Sequence, residues 1–199
     1  MKRKLFTTLH NHLEKKEFII LTGARQVGKT TLLRQLEKKA KNEGKTTFFV
    51  TFENPDILNS INKHPENILE YFSLPSQNNI PATEKTYLFI DEVQYADNPS
   101  NFLKLLFDKY ADRLKIIATG SSAFYIDRKF KDSLAGRKRL FELFTMDFEE
   151  FLFFRNKEEL LQELKRLKED YKNKSLNERE INHLFDEFLT YGGYPAIDF

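Results

Sequence analysis

The stretch Gly23-Ala24-Arg25-Gln26-Val27-Gly28-Lys29-Thr30 fits the spacing G-x-x-x-x-G-K-[ST] at every fixed position. That spacing suits the binding of a phosphate chain. Gly23 and Gly28 let the backbone turn tightly and keep side chains away from an anion. The loop N–H groups then face inward as a nest, and the helix start behind them adds the positive end of its dipole. Lys29 can neutralise charge on the β and γ phosphates, and the Thr30 hydroxyl suits Mg²⁺. The expected nucleotide contacts are Gly23, Ala24, Arg25, Gln26, Val27, Gly28, Lys29, Thr30 and Thr31.

A second chemical signal is Tyr87-Leu88-Phe89-Ile90 followed by Asp91 and Glu92. Acids at the C-terminal end of a buried parallel strand stand where ligands bind in open α/β sheets. Asp91 is suited to hold Mg²⁺. Glu92 is suited to polarise an attacking water as a general base. A water-activating glutamate favours a hydrolase over a kinase, which must protect its phosphoryl group from water. A guanine-reading N-K-x-D element is missing: Asn62-Lys63-His64-Pro65 lacks the Asp and follows no strand. The nucleotide expected is therefore ATP. Gln94 is a further candidate for positioning water.

These residues need a scaffold that sets them at one edge of a sheet. Apolar runs at 18–22, 46–52, 87–90, 114–119 and 139–144 read as strands. Leu5, Phe6, Leu9 and Leu13 have helical spacing within 3–17. Leu32, Leu33, Leu36 and Ala40 share one side of a helix over 29–43. Residues 99–110 read as a helix with Pro99 in its first turn. Between Asn54 and Thr86 the prolines punctuate the chain, and only a short helix near 66–73 is expected there. This strand–helix rhythm predicts an α/β fold with a parallel sheet. After about 146 the pattern becomes helical, over 147–154 with Asp147 as cap, 156–172 and 177–190. The expected organisation is a nucleotide-binding unit over 1–146 and a helical region over 147–199.

Composition narrows the function classes. The chain has 199 residues, 40% of them hydrophobic, so a core can be buried. With 32 Lys+Arg against 30 Asp+Glu the net charge is only +2, too little for a bulk polyanion binder. There is no cysteine, which excludes disulfides, thiolate metal sites and Cys nucleophiles. No apolar run is long enough to span a bilayer, and His10, Asn11, His12 and Glu14 interrupt any signal-like start. A cytoplasmic protein is expected. The four histidines show no metal-ligand spacing, so the metal expected is the Mg²⁺ that accompanies ATP.

The set Thr22–Thr31, Asp91-Glu92-Val93-Gln94, Thr119-Gly120-Ser121-Ser122-Ala123, Leu134-Ala135-Gly136-Arg137, Met146–Phe151 and Tyr191-Gly192-Gly193-Tyr194-Pro195 resembles the prokaryotic AAA+-type ATP-binding proteins of AAA family 14. The resemblance covers nearly the whole chain. It implies a P-loop NTPase fold with a five-stranded parallel sheet of order 5-1-4-3-2, ATP binding and slow hydrolysis. It also implies a C-terminal domain following this region. Ser121 and Ser122, with Thr119 behind them, fall where the family senses the terminal phosphate. Arg137 is the candidate arginine finger, in cis or from a neighbouring subunit. The main rival reading is a non-hydrolysing nucleotide switch or scaffold. Another is a nucleic-acid-associated defence or motor ATPase, for which Lys129, Lys131, Arg137, Lys138 and Arg139 with Phe130 and Phe141 form a local basic region. A protein client and self-association are the other expected partners.

Overall fold

The computed structural model describes residues 3–72, 85–120, 134–169 and 174–195. Five parallel strands form one sheet: β1 Phe18–Thr22, β2 Thr46–Thr51, β3 Thr86–Asp91, β4 Leu114–Thr119 and β5 Lys138–Glu142. Their order is β2-β3-β4-β1-β5, the expected order read from the other edge. The helices are α1 Leu5–Asn11, α2 Lys29–Asn42, α3 Pro55–Lys63, α4 Pro99–Tyr110, α5 Phe148–Phe154, α6 Glu158–Glu169 and α7 Glu178–Tyr191. Short 3-10 helices cover Pro65–Phe72 and Val93–Tyr95. Among the described residues no helix is long and apolar enough to cross a membrane.

The central strands β1, β3 and β4 are buried at every position, as both faces of a covered parallel sheet require. Alternate side chains feed two cores. Phe18, Ile20, Leu88, Ile90, Ile116 and Ala118 pack with Phe102, Leu103 and Leu106 of α4. Ile19, Leu21, Phe89 and Ile117 pack with Leu9 of α1 and Leu32, Leu33 and Leu36 of α2. A third cluster, Phe151, Leu152, Leu160, Ile181 and Leu184, joins α5, α6 and α7. Asp147 and Glu150 close a reciprocal capping box at the start of α5, which explains why the helix begins where Asp147 stands.

Two elements differ from expectation. Residues 55–63 form α3 rather than loop. The Asn54 side chain accepts from Asp56 N at 2.9 Å, and Pro55 occupies the first helical position, so the Asn-Pro pair is a helix start and not punctuation. The N-terminal helix ends at Asn11 instead of continuing to 17. Beyond it the chain turns so that three carbonyls converge on Lys115. That fully buried ammonium donates to His12 O at 3.0 Å, to Lys15 O at 2.8 Å and to Glu17 O.

Burial pushes Lys115 down from 10.5 to about 7. Between those values the unfolded chain keeps a proton that the folded chain has lost. Stability should therefore rise with pH across that window. Denaturant midpoints taken at its two ends should show this rise in the wild type and not in Lys115→Met.

Candidate functional site

All five strands run the same way, so Thr22, Thr51, Asp91, Thr119 and Glu142 end on one edge of the sheet. The loop over 23–28 leaves β1 at this edge and enters α2. Its backbone is committed to an unusual path: φ is +146° at Gly23, +64° at Gln26 and +94° at Gly28. At Gly23 a Cβ would lie 2.2 Å from the Leu143 carbonyl oxygen, so that position has no room for a side chain. Val27 turns inward and is fully buried among Leu32 and its neighbours, leaving only its backbone to the loop. Ala24, Arg25, Gln26 and Thr31 are exposed.

Lys29 opens α2 and is buried, with 5% of its surface exposed. Its ammonium reaches back across the loop to Gly23 O at 3.0 Å and Ala24 O at 2.7 Å. Burial lowers its pKa from the ordinary lysine value, and the charges of Glu92 and Asp91 oppose the shift. A cation in that position, held by carbonyls that give it no counter-charge, is poised to accept anionic oxygen ligands. Thr30 follows in the first helical turn.

Thr119, at the end of the neighbouring strand, organises the acidic pair. Its hydroxyl accepts from the Glu92 amide at 3.0 Å and donates to Asp91 Oδ1. Asp91 is buried, whereas Glu92 is partly exposed and stands at φ +57°. A left-handed backbone at a glutamate costs on the order of 1–3 kcal/mol. It turns the carboxylate into the cavity instead of along the strand. The Gln94 amide donates to Glu92 Oε2. The cavity holds about 570 Å³ and is lined by the loop and first turn of α2 together with Glu53, Glu92, Tyr95 and Pro195. That is the size of an ordinary small-ligand site.

The site fits a nucleotide triphosphate with Mg²⁺. The positive-φ loop, the inward Lys29 and the helix start make an anion cradle. Among the described residues no group of three or more His or acidic side chains could hold a metal alone. A hard cation here would take Thr30 and Asp91 with phosphate and water oxygens.

The structure therefore brings together Gly23–Thr31, Asp91 and Glu92, and joins Thr119, expected behind Ser121 and Ser122, to the acidic pair. Ser121 and Ser122 lie outside the described residues, as do Lys129, Phe130 and Lys131. Arg137 is not brought to the site in cis; of the two arrangements the sequence left open, in cis or from a neighbouring subunit, these contacts bear only on the first. Its carbonyl accepts from Phe18 N at 2.9 Å, at the start of β1. About 13 Å of strand, at ~3.3 Å per residue, separates it from the loop. Its guanidinium is instead engaged by Asp108 of α4, Nε to Oδ1 at 2.6 Å and Nη2 to Oδ2 at 3.3 Å.

Four residues near the site carried no individual role in the sequence. Arg3 is buried and donates to Val27 O at 2.8 Å and Phe144 O at 2.6 Å. It also pairs with Glu150 at 3.1 Å, so one side chain ties the loop to the capping box of α5. Gly193 accepts from Met146 N at 2.7 Å, and a Cβ on it would lie 2.1 Å from Met146 O. This contact lets the segment after α7 return to the loop. Tyr194 then packs on the core beside α2, and Pro195 lines the cavity. The Tyr191–Pro195 motif was visible in sequence, but nothing local to it says where it docks.

The sheet order, the loop between β1 and α2 and the acids after β3 define a P-loop NTPase fold. A family model described as an AAA domain matches residues 15–152, and the chain belongs to that family, AAA family 14. The uncharacterized protein MJ1544 of Methanocaldococcus jannaschii is 27% identical over 179 residues, 89% of this chain and 35% of that one. MJ1637 of the same organism is 34% identical over 154 residues, 77% of this chain and 31% of that one. The chain thus spans about a third of the length of the curated relatives it matches. The Walker-type ATPase of Pyrococcus abyssi superposes with a TM-score of 0.57 at 16% identity, covering 98% of this chain and 64% of that one. The Aeropyrum pernix ORC1 protein, solved in complex with DNA, gives 0.51 at 12% identity, covering 79% and 48%. These likenesses show the fold.

Arg3→Ala should leave Glu150 buried without its guanidinium. The expected loss of stability is about 3–5 kcal/mol, read as a lower denaturant midpoint.

Proposed function

We propose that this region binds Mg-ATP on the loop 23–30, hydrolyses it, and passes the change of state to the helices after 146. The observation that carries the reading is the meeting of Lys29, Thr30, Asp91 and Glu92 at one strand edge around one cavity. Bound Mg-ATP would supply the phosphoryl group and the electrophilic centre. Lys29 would exchange its loop carbonyls for phosphate oxygens. Thr30 and Asp91 would hold the cation, with Thr119 fixing the Asp91 carboxylate. Glu92 would accept a proton from water as that water attacks. Arg3 and the Met146–Gly193 contact join the loop to the helical region, so a shift of the loop has a mechanical outlet there. We read 147–199 as a lid, or the start of a further domain, and the protein as cytoplasmic.

A second reading is a nucleotide switch that does not hydrolyse by itself. The engagement of Arg137 by Asp108, away from the loop, favours it, because no arginine from that position completes the site in cis. The ORC1 neighbour was solved with DNA. For this chain nucleic-acid association remains a third reading, to be tested by salt-dependent titration of the longer protein.

The experiment is nucleotide binding and turnover with Mg²⁺. Lys29→Ala should bind ATP roughly ten- to a hundredfold more weakly, the worth of a charge-assisted bond. Glu92→Gln should keep binding and lose roughly 10²–10⁴-fold in turnover, the usual scale of general-base catalysis. Wild-type binding without turnover selects the switch. Absence of binding rejects both readings.

A further inference from the structure

We propose that Arg25 is a catalytic residue of this site, its guanidinium engaging the terminal phosphate in cis. The inference rests on the nucleotide reading above and assigns the cation that Arg137 does not supply. Arg25 is the third residue of the loop, and the backbone around it is fixed by the positive φ angles at Gly23, Gln26 and Gly28. Its side chain lines the cavity together with Lys29, Glu53 and Glu92. Among the described residues it is the only guanidinium that does so.

Arg3, Arg137 and Arg25 differ in their contacts. Arg3 is buried under the loop, where it pairs with Glu150. Arg137 is forked onto Asp108 at the far edge. Arg25 is exposed and forms no ion pair among the described residues. Its charge is nevertheless felt by Lys29, which places the two cations on one cavity. A bidentate guanidinium matches a phosphoryl oxygen pair geometrically, and a lysine would not. Charge builds on the terminal phosphoryl group as the bond to the leaving oxygen breaks and the bond from water forms, the water proton passing to Glu92. A cation added at that group stabilises the developing charge. Glu92 and Glu53 line the same cavity, and their negative charge offsets the repulsion between an unliganded Arg25 and Lys29.

The test compares wild type, Arg25→Ala, Arg25→Lys and Lys29→Ala with Mg²⁺. Affinities for ATP, ADP and ADP with aluminium fluoride are measured by calorimetry, and turnover separately. Arg25→Ala should bind ADP like the wild type. It should lose roughly tenfold or more of its preference for ATP over ADP and a larger share of aluminium fluoride-dependent affinity. Turnover should fall roughly 10²–10³-fold, the lower part of the range for arginine fingers. Arg25→Lys should recover the binding preference in part and the turnover little. An unchanged ATP-over-ADP preference in Arg25→Ala overturns the proposal, whether or not the wild type turns over. If the wild type binds and Lys29→Ala does not, that failure belongs to Arg25 alone. If the wild type binds no nucleotide, the site reading itself fails and Arg25 falls with it. Turnover restored by mixing Arg25→Ala with Lys29→Ala protein would place the arginine in a neighbouring subunit's site and overturn the cis assignment.

Discussion

The carbonyl of Leu143 passes so close to Gly23 that a methyl group there would sit 2.2 Å from its oxygen. The Leu143 amide is held by Thr22 O at 2.8 Å, so the segment leaving β5 cannot retreat. The loop must therefore turn away at Gly23 and stay low over the sheet edge. Every later feature depends on that turn. It brings the start of α2 beneath the cavity and points Lys29 back along its own loop. It also leaves Arg25 and Gln26 outside, while Val27 anchors the bend in the core. Two residues at left-handed φ, Gln26 and Glu92, stand on either side of the same space. Strain of this kind persists only where the surrounding packing fixes it. Here the fixing contacts are the buried strands β1, β3 and β4.

The same turn couples the loop to the C-terminal helices. Arg3 holds the Val27 carbonyl with one nitrogen and the Phe144 carbonyl with another, and its charge meets Glu150. Glu150 in turn accepts from Lys4 N at 2.6 Å and belongs to the capping box of α5. Low-dielectric surroundings make such a network costly to leave half-made. Through these contacts the loop and the start of α5 share one hydrogen-bonded network. The Met146–Gly193 contact closes the circuit from the other end of the helical region.

Much of this was legible in the chain because the chemistry is local. Gly23 to Thr30 and Asp91-Glu92 carry their meaning in spacing, and the apolar runs before them fix which edge they share. The helix over 55–63 was hidden because Asn-Pro serves both as a break and as a helix start. Of the two arrangements open for Arg137, the sequence itself argues against the one in cis. A residue just before a parallel strand belongs to the edge opposite the loops that follow the strands. The places of Arg3 and Gly193 in the site, and the bond from Thr119 to Asp91, were not legible. Arg3 acts across 24 positions to Val27 and Thr119 across 28 to Asp91, and no local pattern encodes such pairings.

If the loop amides over 23–30 form an anion cradle tied to the segment near Met146 and Gly193, nucleotide must protect both. Hydrogen exchange with and without Mg-ATP tests it most directly. Slower exchange is expected at the loop amides and the first turn of α2, with a matching change at the start of α5 and near Gly193. Exchange at the loop that stays the same at saturating nucleotide would contradict it.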